Sequence, residues 1–442
     1  MTQPASDALV LFGATGDLAY RKIFPALHDL IRHGRLSCPV IGVAHTEHPA
    51  AEMRARIATT LAARGGVDDA ALNSLLNRFS FVQGDYREQT TYDALRQVLG
   101  DAQHPLYYLA IPPAMFAAVA QGLGRSGCAR GSRIVVEKPF GRDLESAHAL
   151  NATLLEVFNE SQILRIDHYL GKESVQNLMM FRFANTFVEP VWHERYVERV
   201  QITMAETLGV EGRGAFYEQV GTIRDVVQNH LLEVLSYVTM EPPTAMRSEA
   251  ISASQLAVLQ AIAPLTRADV VRGQALGYRS EKNVAPDSTV ETFAALRLTI
   301  DNERWRGVPF HIRAGKYLAV SVTEVQVTLK AAPLPQLAPS EANYFRFQLS
   351  PTTDISISAR IKRGGEALIS EPAVLNLVDH TPDDGIDPYE RLLGDAMAGD
   401  DLLFAPQEFV EAAWRIVDPV LADPPPIHMY AAGSWGPVLR RW

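Results

Sequence analysis

Short apolar runs alternate with segments of helical periodicity over the first 170 residues of the chain. The apolar runs cover residues 8–12, 38–44, 78–83, 105–110, 133–136 and 163–166. Strands that alternate with helices are typical of a parallel sheet covered on both faces. Right-handed crossovers then favour a doubly wound, Rossmann-like α/β arrangement.

The pattern changes after residue 170. Helical periodicity covers residues 173–184 and 216–238, and a further helix is expected over 395–417. Runs with period-two alternation are found at 199–206, 292–300, 309–314, 324–329, 344–349 and 355–361. We therefore expect an α+β second domain with a large, mainly antiparallel sheet and helices, and a boundary that divides the chain into residues 1–170 and 171–442.

Composition excludes several classes of protein. The 442 residues carry a net charge of −10, which argues against a general binder of nucleic acid or anionic membranes. No run of about 18 apolar residues and no secretory signal pattern is present. Cys38 and Cys128 lie far apart without metal-type spacing. We expect a cytoplasmic protein with no metal site.

A glycine-containing turn follows the first predicted strand. It reads Gly13-Ala14-Thr15-Gly16-Asp17-Leu18 and opens a predicted helix. Such a turn lets backbone N–H groups approach a pyrophosphate at the helix N-terminus. The spacing is G-x-x-G, and two glycines in a tight turn would explain it equally well. Its place at strand one of an alternating pattern favours nucleotide binding.

Two polar motifs lie further along the first domain. Lys138 follows a predicted strand, where ligands of parallel sheets bind, although a surface lysine in a turn explains it equally well. Pro139 is expected to stiffen that turn. The run from Arg165 to Lys172 brings a carboxylate, an imidazole, a phenol and an amine together, and such groups can surround a phosphate.

A third motif lies on the predicted helix 216–238. Asp225 and Gln228 lie near each other on its surface, and His230 follows. Buried polar groups on a helix need partners, so this helix face is a candidate site. A helix face that is hydrogen-bonded to a neighbouring loop is the alternative.

Together these motifs resemble the glucose-6-phosphate dehydrogenase family. The resemblance rests on the turn at Gly13, the Glu137-Lys138-Pro139 turn, the run from Arg165 to Glu173, and the segment from Arg224 to His230. It also covers Phe181-Arg182-Phe183-Ala184-Asn185, Glu211-Gly212-Arg213-Gly214, Trp305-Arg306-Gly307-Val308-Pro309-Phe310, Gly315-Lys316 and Gly433-Ser434-Trp435-Gly436-Pro437. The match runs nearly from end to end in one order.

The resemblance implies an oxidoreductase that transfers a hydride from C1 of glucose 6-phosphate to NADP or NAD. The product is 6-phosphogluconolactone, at the entry to the oxidative pentose phosphate and Entner–Doudoroff pathways. His230 is implied as the base, Asp167 as the group that orients it, and Lys22 as a further catalytic residue. A neutral imidazole suits proton removal at neutral pH, and a carboxylate favours its protonated form.

The resemblance also implies binding residues and an assembly. The implied substrate ligands are Lys138, His168, Tyr169, Lys172, Glu206, Asp225 and Lys316. The implied cofactor contacts are Gly13, Ala14, Thr15, Gly16, Asp17, Leu18, His45, Tyr108 and Lys138. The first domain would bind the dinucleotide. The second would bind the sugar phosphate and form a homodimer or homotetramer.

Three positions depart from the family pattern, and the first is Tyr20, which stands after Ala19 where a lysine is common in the family. His45 stands where an arginine usually pairs with the 2′-phosphate of NADP, and histidine lacks that bidentate fork. Ser321 stands where a second basic residue usually follows Lys316. These departures leave open a relative that prefers NAD or uses another sugar or sugar phosphate. A non-catalytic homologue is a further alternative, although the residues matched to proton and hydride transfer are all present.

Overall fold

The computed structural model describes residues 4–45, 50–337, 342–378 and 386–439. The strands are β1 Ala8–Phe12, β2 Val40–Ala44, β3 Phe79–Gln83, β4 Pro105–Leu109, β5 Arg133–Glu137, β6 Ile163–Ile166, β7 Val197–Ala205, β8 Val270–Ala275, β9 Phe293–Leu298, β10 Phe310–Gly315, β11 Val322–Leu329, β12 Tyr344–Ser350, β13 Asp354–Lys362, β14 Ser370–Val378 and β15 Ile427–Tyr430.

The α-helices are α1 Phe24–Arg32, α2 Ala50–Arg64, α3 Asp69–Arg78, α4 Gln89–Leu99, α5 Phe116–Arg125, α6 Leu144–Leu155, α7 Glu173–Phe183, α8 Gly214–Thr222, α9 Leu232–Thr239, α10 Ser248–Gln260, α11 Pro388–Ala398 and α12 Gln407–Ala422. Two π-helical segments, Ala19–Ile23 and Ile223–Leu231, lead directly into α1 and α9. Within the described ranges, no helix combines the length and apolar character that a membrane span requires.

The chain divides into two compact units. The first contains the residues up to Lys172 and a second segment, residues 386–410, which includes α11. The second contains the chain from Glu173 to α11 and everything after Val410. The predicted boundary after residue 170 stays a prediction about how the two functions divide along the chain.

The first unit is built on a six-stranded parallel sheet. Its strand order is β3-β2-β1-β4-β5-β6, and every neighbouring pair is parallel. Every residue of β1 and β4 is buried, as expected for central strands with helices on both faces. The chain order reverses between β1 and β4, so their carboxyl ends border the crevice where such sheets bind ligands. The predicted Rossmann-like fold is confirmed.

The second unit is built on a nine-stranded mixed sheet in the order β14-β13-β12-β11-β7-β10-β9-β8-β15. Only two neighbouring pairs in this sheet, β7 with β10 and β8 with β15, are parallel, and the other six are antiparallel. Inward side chains alternate with half-buried ones along β12, which is the pattern of a sheet with one face on the core. The predicted mainly antiparallel sheet is confirmed.

Two of the predicted helices differ from the structure. The helix expected over 216–238 is broken at Gly221, where φ is +62°, and continues as the π-helical segment. The single helix expected over 395–417 is wrong. There α11 ends at Gly399, whose left-handed φ of +78° closes the helix, and α12 begins only at Gln407.

Candidate active site

The glycine turn lies at the carboxyl end of β1. Gly13 has a φ of +80°, and a Cβ there would lie 2.1 Å from the carbonyl oxygen of Ala110, just beyond β4. The Gly16 N–H donates to the Gly13 carbonyl at 2.9 Å, which closes the turn. The Gly13 N–H also donates to the Tyr86 hydroxyl at 3.0 Å. The turn lies at the crevice of the sheet, has no side chain at Gly13 and leads into a helix. Its main chain can therefore approach the pyrophosphate of a dinucleotide closely.

Tyr108 and Glu137 lie at the ends of the neighbouring strands β4 and β5. The Tyr108 hydroxyl donates to Glu137 Oε1 at 2.5 Å. Burial raises the pKa of Glu137 to about 7, while the Tyr108 hydrogen bond and the Lys138 ammonium oppose that rise. Burial and the neighbouring Glu137 raise the pKa of Tyr108 well above its ordinary value. Lys138 itself follows β5 and is joined to Pro139 by a cis peptide bond.

The residues after β6 form a tight polar turn. Asp167 is buried, and its Oδ1 accepts the Tyr169 N–H at 2.9 Å. The ammonium of Lys172 lies 3.6 Å from the centre of the Tyr169 ring. Burial lowers the pKa of Lys172 to about 8. The Asp167 carboxylate opposes this shift, and the ammonium groups of Lys138 and Lys22 add to it. The turn therefore concentrates positive charge where an anion would be favourable.

An aromatic side chain from α11 lies against this turn. The Tyr389 ring is stacked on the His168 ring, with centroids 6.2 Å apart and an interplanar angle of 12°. Lys22 Nζ lies 5.7 Å from the centre of the Tyr389 ring and 3.8 Å from Asp387 Oδ2. Asp387 also caps α11 through the Tyr389 N–H, at 2.8 Å. Tyr389 thus lies between two of the residues that the sequence singled out.

In the second unit, Glu206 and Lys316 lie at the ends of the parallel neighbours β7 and β10. Lys316 Nζ donates to Glu206 Oε2 at 2.7 Å, and the Glu206 N–H donates to the Gly315 carbonyl at 3.0 Å. The Tyr430 hydroxyl donates to the main-chain oxygen of Lys316 at 2.7 Å. This ammonium–carboxylate pair can donate to and accept from the hydroxyl groups of a sugar.

Asp225 and His230 lie on the π-helical segment Ile223–Leu231. His230 is buried, and its main-chain N–H donates to Asn229 Oδ1 at 2.7 Å. Burial, followed by the Asp225 charge, raises the pKa of Tyr217 well above its ordinary value. The Tyr217 ring lies 5.6 Å from Lys316 Nζ. Asp225, Tyr217 and the Glu206–Lys316 pair therefore form one group within the second unit.

Two of the departures from the family pattern, His45 and Ser321, have different surroundings. His45 is exposed and follows β2 directly. The Ser321 hydroxyl accepts the Thr207 N–H at 3.0 Å and lies 2.9 Å from the Thr207 hydroxyl. Ser321 therefore fixes the main chain next to Glu206 and supplies no positive charge.

Sequence reasoning missed several residues beside the site. Tyr389 and Tyr217 fall outside every sequence motif, and the Glu137-Lys138-Pro139 motif assigns no role to Glu137. One available signal is the Asp387-Pro388 pair, since Asp at an N-cap followed by proline marks a helix start. Nothing local to Tyr389 indicates its contact with His168, more than two hundred residues earlier.

Comparison with known proteins gives two family matches. Residues 10–177 match the family model described as "Glucose-6-phosphate dehydrogenase, NAD binding domain". Residues 179–441 match "Glucose-6-phosphate dehydrogenase, C-terminal domain". These two matches follow each other and span most of the chain.

Individual relatives agree with these matches. The chain is 43% identical over 440 residues to "Glucose-6-phosphate 1-dehydrogenase 1" of Mycobacterium tuberculosis (strain ATCC 25618 / H37Rv), covering 98% of this chain and 93% of that protein. A crystal structure of glucose-6-phosphate 1-dehydrogenase from Mycobacterium avium is 42% identical, with a TM-score of 0.92 over 98% of this chain and 95% of that one.

A second solved structure is a glucose-6-phosphate dehydrogenase in complex with its substrate glucose-6-phosphate. It is 32% identical, with a TM-score of 0.93, and covers 99% of this chain and 96% of that one. Sequence, family models and fold thus agree over nearly the whole length, and this chain belongs to the glucose-6-phosphate dehydrogenase family.

Proposed function

We propose that this chain oxidises glucose 6-phosphate at C1, using a nicotinamide dinucleotide as hydride acceptor. The observation that carries the proposal is that two sites lie at the carboxyl ends of strands in the sheet of the first unit. The Gly13 turn fits a pyrophosphate, and the Lys172 turn suits a phosphate. A dehydrogenase for a phosphorylated sugar needs both.

The proposed chemistry begins with proton removal. His230 takes the proton from the C1 hydroxyl as hydride leaves C1, and a lactone remains. Asp167 orients the imidazole and favours its charged form as the proton arrives. The bound coenzyme supplies the hydride acceptor. Lys22 adds positive charge beside the substrate. The burial of Asp167 and His230 supports these roles, because partly desolvated groups interact more strongly.

The remaining side chains hold the substrate. His168, Tyr169 and Lys172 bind the phosphate group. Glu206, Asp225, Lys138 and Lys316 hold the sugar hydroxyls. The Lys316–Glu206 hydrogen bond, at 2.7 Å, supports this division because it presents a donor and an acceptor together.

The proposed coenzyme contacts are the main chain from Gly13 to Leu18, Tyr108, Lys138 and His45. His45 lacks the bidentate fork that an arginine offers to a 2′-phosphate. We therefore expect the enzyme to accept NAD as well as NADP. Ratios of kcat/KM for the two coenzymes measure this, and the His45→Arg variant is expected to move the ratio towards NADP. A strict preference for NADP in the parent protein would contradict the proposed role of His45.

The enzyme is proposed to act in the cytoplasm as a homodimer. Residues 1–170 serve the dinucleotide, and 171–442 serve the sugar phosphate and the dimer contact. Strand β14 carries exposed Val374, Leu375 and Leu377, each at least half exposed. Such a patch on a sheet suits an interface. Light scattering is expected to give a dimer mass that Leu375→Asp reduces to a monomer mass. A monomeric parent would refute the assembly.

The experiment that tests the function is a panel of substrates. Turnover is measured with glucose 6-phosphate, glucose and other sugar phosphates, in the presence of each coenzyme. We expect kcat/KM to be highest for glucose 6-phosphate. Equal or better turnover of an unphosphorylated sugar would refute the phosphate site. His230→Asn is expected to lose about 10²–10⁴-fold in kcat while still binding the sugar phosphate. Near-normal turnover in that variant would refute the role of His230 as the base.

A further inference from the structure

The helix that leads to His230 is interrupted one turn before Asp225. Gly221 has a φ of +62° and a ψ of 178°, so α8 stops and the π-helical segment begins at Ile223. A Cβ at Gly221 would lie 2.6 Å from Glu291 Oε1, and only glycine leaves room for that carboxylate. The first N–H groups of any helix lack partners inside the helix. The break therefore exposes donors that need an acceptor from elsewhere.

Glu291 supplies that acceptor. Its Oε1 accepts the Ile223 N–H at 3.1 Å. Its main-chain oxygen accepts both the Thr222 N–H, at 3.1 Å, and the Thr222 hydroxyl, at 3.2 Å. Glu291 is almost fully buried. One residue, just before β9, therefore caps the start of the segment that carries Asp225 and His230.

Arg272, on β8, pairs with the Glu291 carboxylate and balances its buried charge. Its Nε and one terminal nitrogen donate to Glu291 Oε2 at 3.2 and 2.9 Å. The same guanidinium donates to the main-chain oxygens of Thr289, at 2.7 Å, and Pro425, at 3.1 Å. Because Arg272 binds Oε2, Oε1 remains available to accept the Ile223 N–H.

The next residue, Thr292, extends the arrangement to Lys316. The Thr292 carbonyl accepts the Lys316 N–H at 2.9 Å. The Thr292 hydroxyl lies 2.7 Å from the Tyr430 hydroxyl, which donates to the Lys316 carbonyl. Two consecutive residues therefore fix the main chain of Lys316 and the start of the segment that carries His230.

We propose that Glu291 is a positioning residue for the reaction, through its cap on the segment Ile223–Leu231. It sets the register of Asp225 and His230 against Lys316, and Arg272 balances the charge of its buried carboxylate. The proposal rests on the proposed role of His230 as the base. Misplacing a reacting group by about 1 Å can cost on the order of 10²-fold in rate. Loss of the cap should therefore lower kcat and leave coenzyme affinity unchanged.

Two variants separate the cap from the ion pair. Glu291→Asp keeps a charge near Arg272 but shortens the reach towards Ile223 by one methylene. The double variant Arg272→Met with Glu291→Gln removes the ion pair but keeps an amide oxygen for the Ile223 N–H. We expect Glu291→Asp to lower kcat at least about tenfold and to raise the isotope effect with C1-deuterated glucose 6-phosphate. We expect the double variant to stay within about threefold of the parent kcat, and coenzyme Kd to change less than about twofold in both.

The matched control is Glu189→Gln in the same unit. Glu189 accepts from the buried Arg182 at 2.8 Å and from Arg304 at 3.0 Å, so its loss should lower Tm without changing kcat. If Glu291→Asp behaves in the same way, Glu291 is merely structural and the proposal is overturned. The reverse pattern, an active Glu291→Asp and an inactive double variant, would assign the effect to the ion pair and also overturn it.

Two other outcomes of these experiments also test the cap. If Glu291→Asp fails to fold, the kcat of the double variant decides: retention supports the cap and loss overturns it. If the parent protein does not turn over glucose 6-phosphate, the proposed function fails on its own. The cap is then tested by hydrogen exchange at the Ile223 amide, expected to be slow in the parent and faster in Glu291→Asp. Equal exchange rates in the two proteins would overturn it.

Discussion

We expect Lys172 to strengthen substrate binding and to lower the free energy of unfolding of the ligand-free protein. Burial and two neighbouring ammonium groups lower its pKa from 10.5 to about 8. At about 1.36 kcal/mol per pH unit, this difference corresponds to roughly 3 kcal/mol. Because the ammonium still reaches water, we halve that value. The perturbation is Lys172→Met, which keeps most of the volume of the side chain and removes its charge.

Methionine also gives up the contact between the ammonium and the Tyr169 ring. That contact, at 3.6 Å, stabilises the parent protein by roughly 0.5–1 kcal/mol, so its loss reduces the gain from the substitution by that amount. The net gain on substitution is then about 1 kcal/mol. For a unit of this size it should raise Tm by about 2–4 °C at pH 7 without ligand. Since the folded pKa lies below the unfolded one, the gain is complete below pH 8 and fades as pH approaches 10.5.

The same substitution should weaken the substrate complex. A charged hydrogen bond to phosphate contributes roughly 2–3 kcal/mol, so KM for glucose 6-phosphate should rise about 30- to 150-fold. Thermal melts and steady-state kinetics measure both effects, and the exposed Lys282→Met is the control, with neither Tm nor KM expected to change. A lower Tm together with an unchanged KM would refute the reasoning and make Lys172 a structural residue.

Gly13→Ala should abolish coenzyme binding in a calorimetric titration, because its Cβ would lie 2.1 Å from the Ala110 carbonyl; retained affinity would exclude this turn as the coenzyme site. Glu137→Gln should raise Tm more at pH 8 than at pH 5. Burial raises the pKa of that carboxyl from 4.5 to about 7, so its cost to stability grows above about pH 4.5 and is complete only above about pH 7. An equal change at both pH values would contradict this. Tyr389→Ala removes the ring stacked on His168 and should raise KM for glucose 6-phosphate several-fold with an unchanged KM for the coenzyme. Equal changes in both KM values would count against a substrate role.

Much of the first unit could be predicted from sequence alone. Its six strands are apolar runs closed by glycine, proline or charge, and the predicted runs lie within two residues of the observed strands. Central parallel strands are buried on both faces, so their pattern needs no tertiary context. The glycine turn and the polar turn after β6 follow such strands. Because the strands are parallel, sequence order alone brings both turns to the carboxyl end of the sheet.

Other elements depend on contacts that no local pattern records. Strand β15 has four residues and pairs with β8, about 150 residues earlier. Strand β14 carries exposed apolar side chains on the sheet edge, so burial does not mark it. The break at Gly221 depends on Glu291, seventy residues later. For the same reason the contact of Tyr389 with His168 could not be predicted.

The most direct test of the central claim follows the hydrogen at C1. Glucose 6-phosphate that carries deuterium at C1 is incubated with the enzyme and oxidised coenzyme, and both products are analysed by mass spectrometry. The account predicts one deuterium on the nicotinamide for each lactone formed, and almost no transfer with His230→Asn. Deuterium released to water, or no reduction of either coenzyme by this substrate, would contradict it.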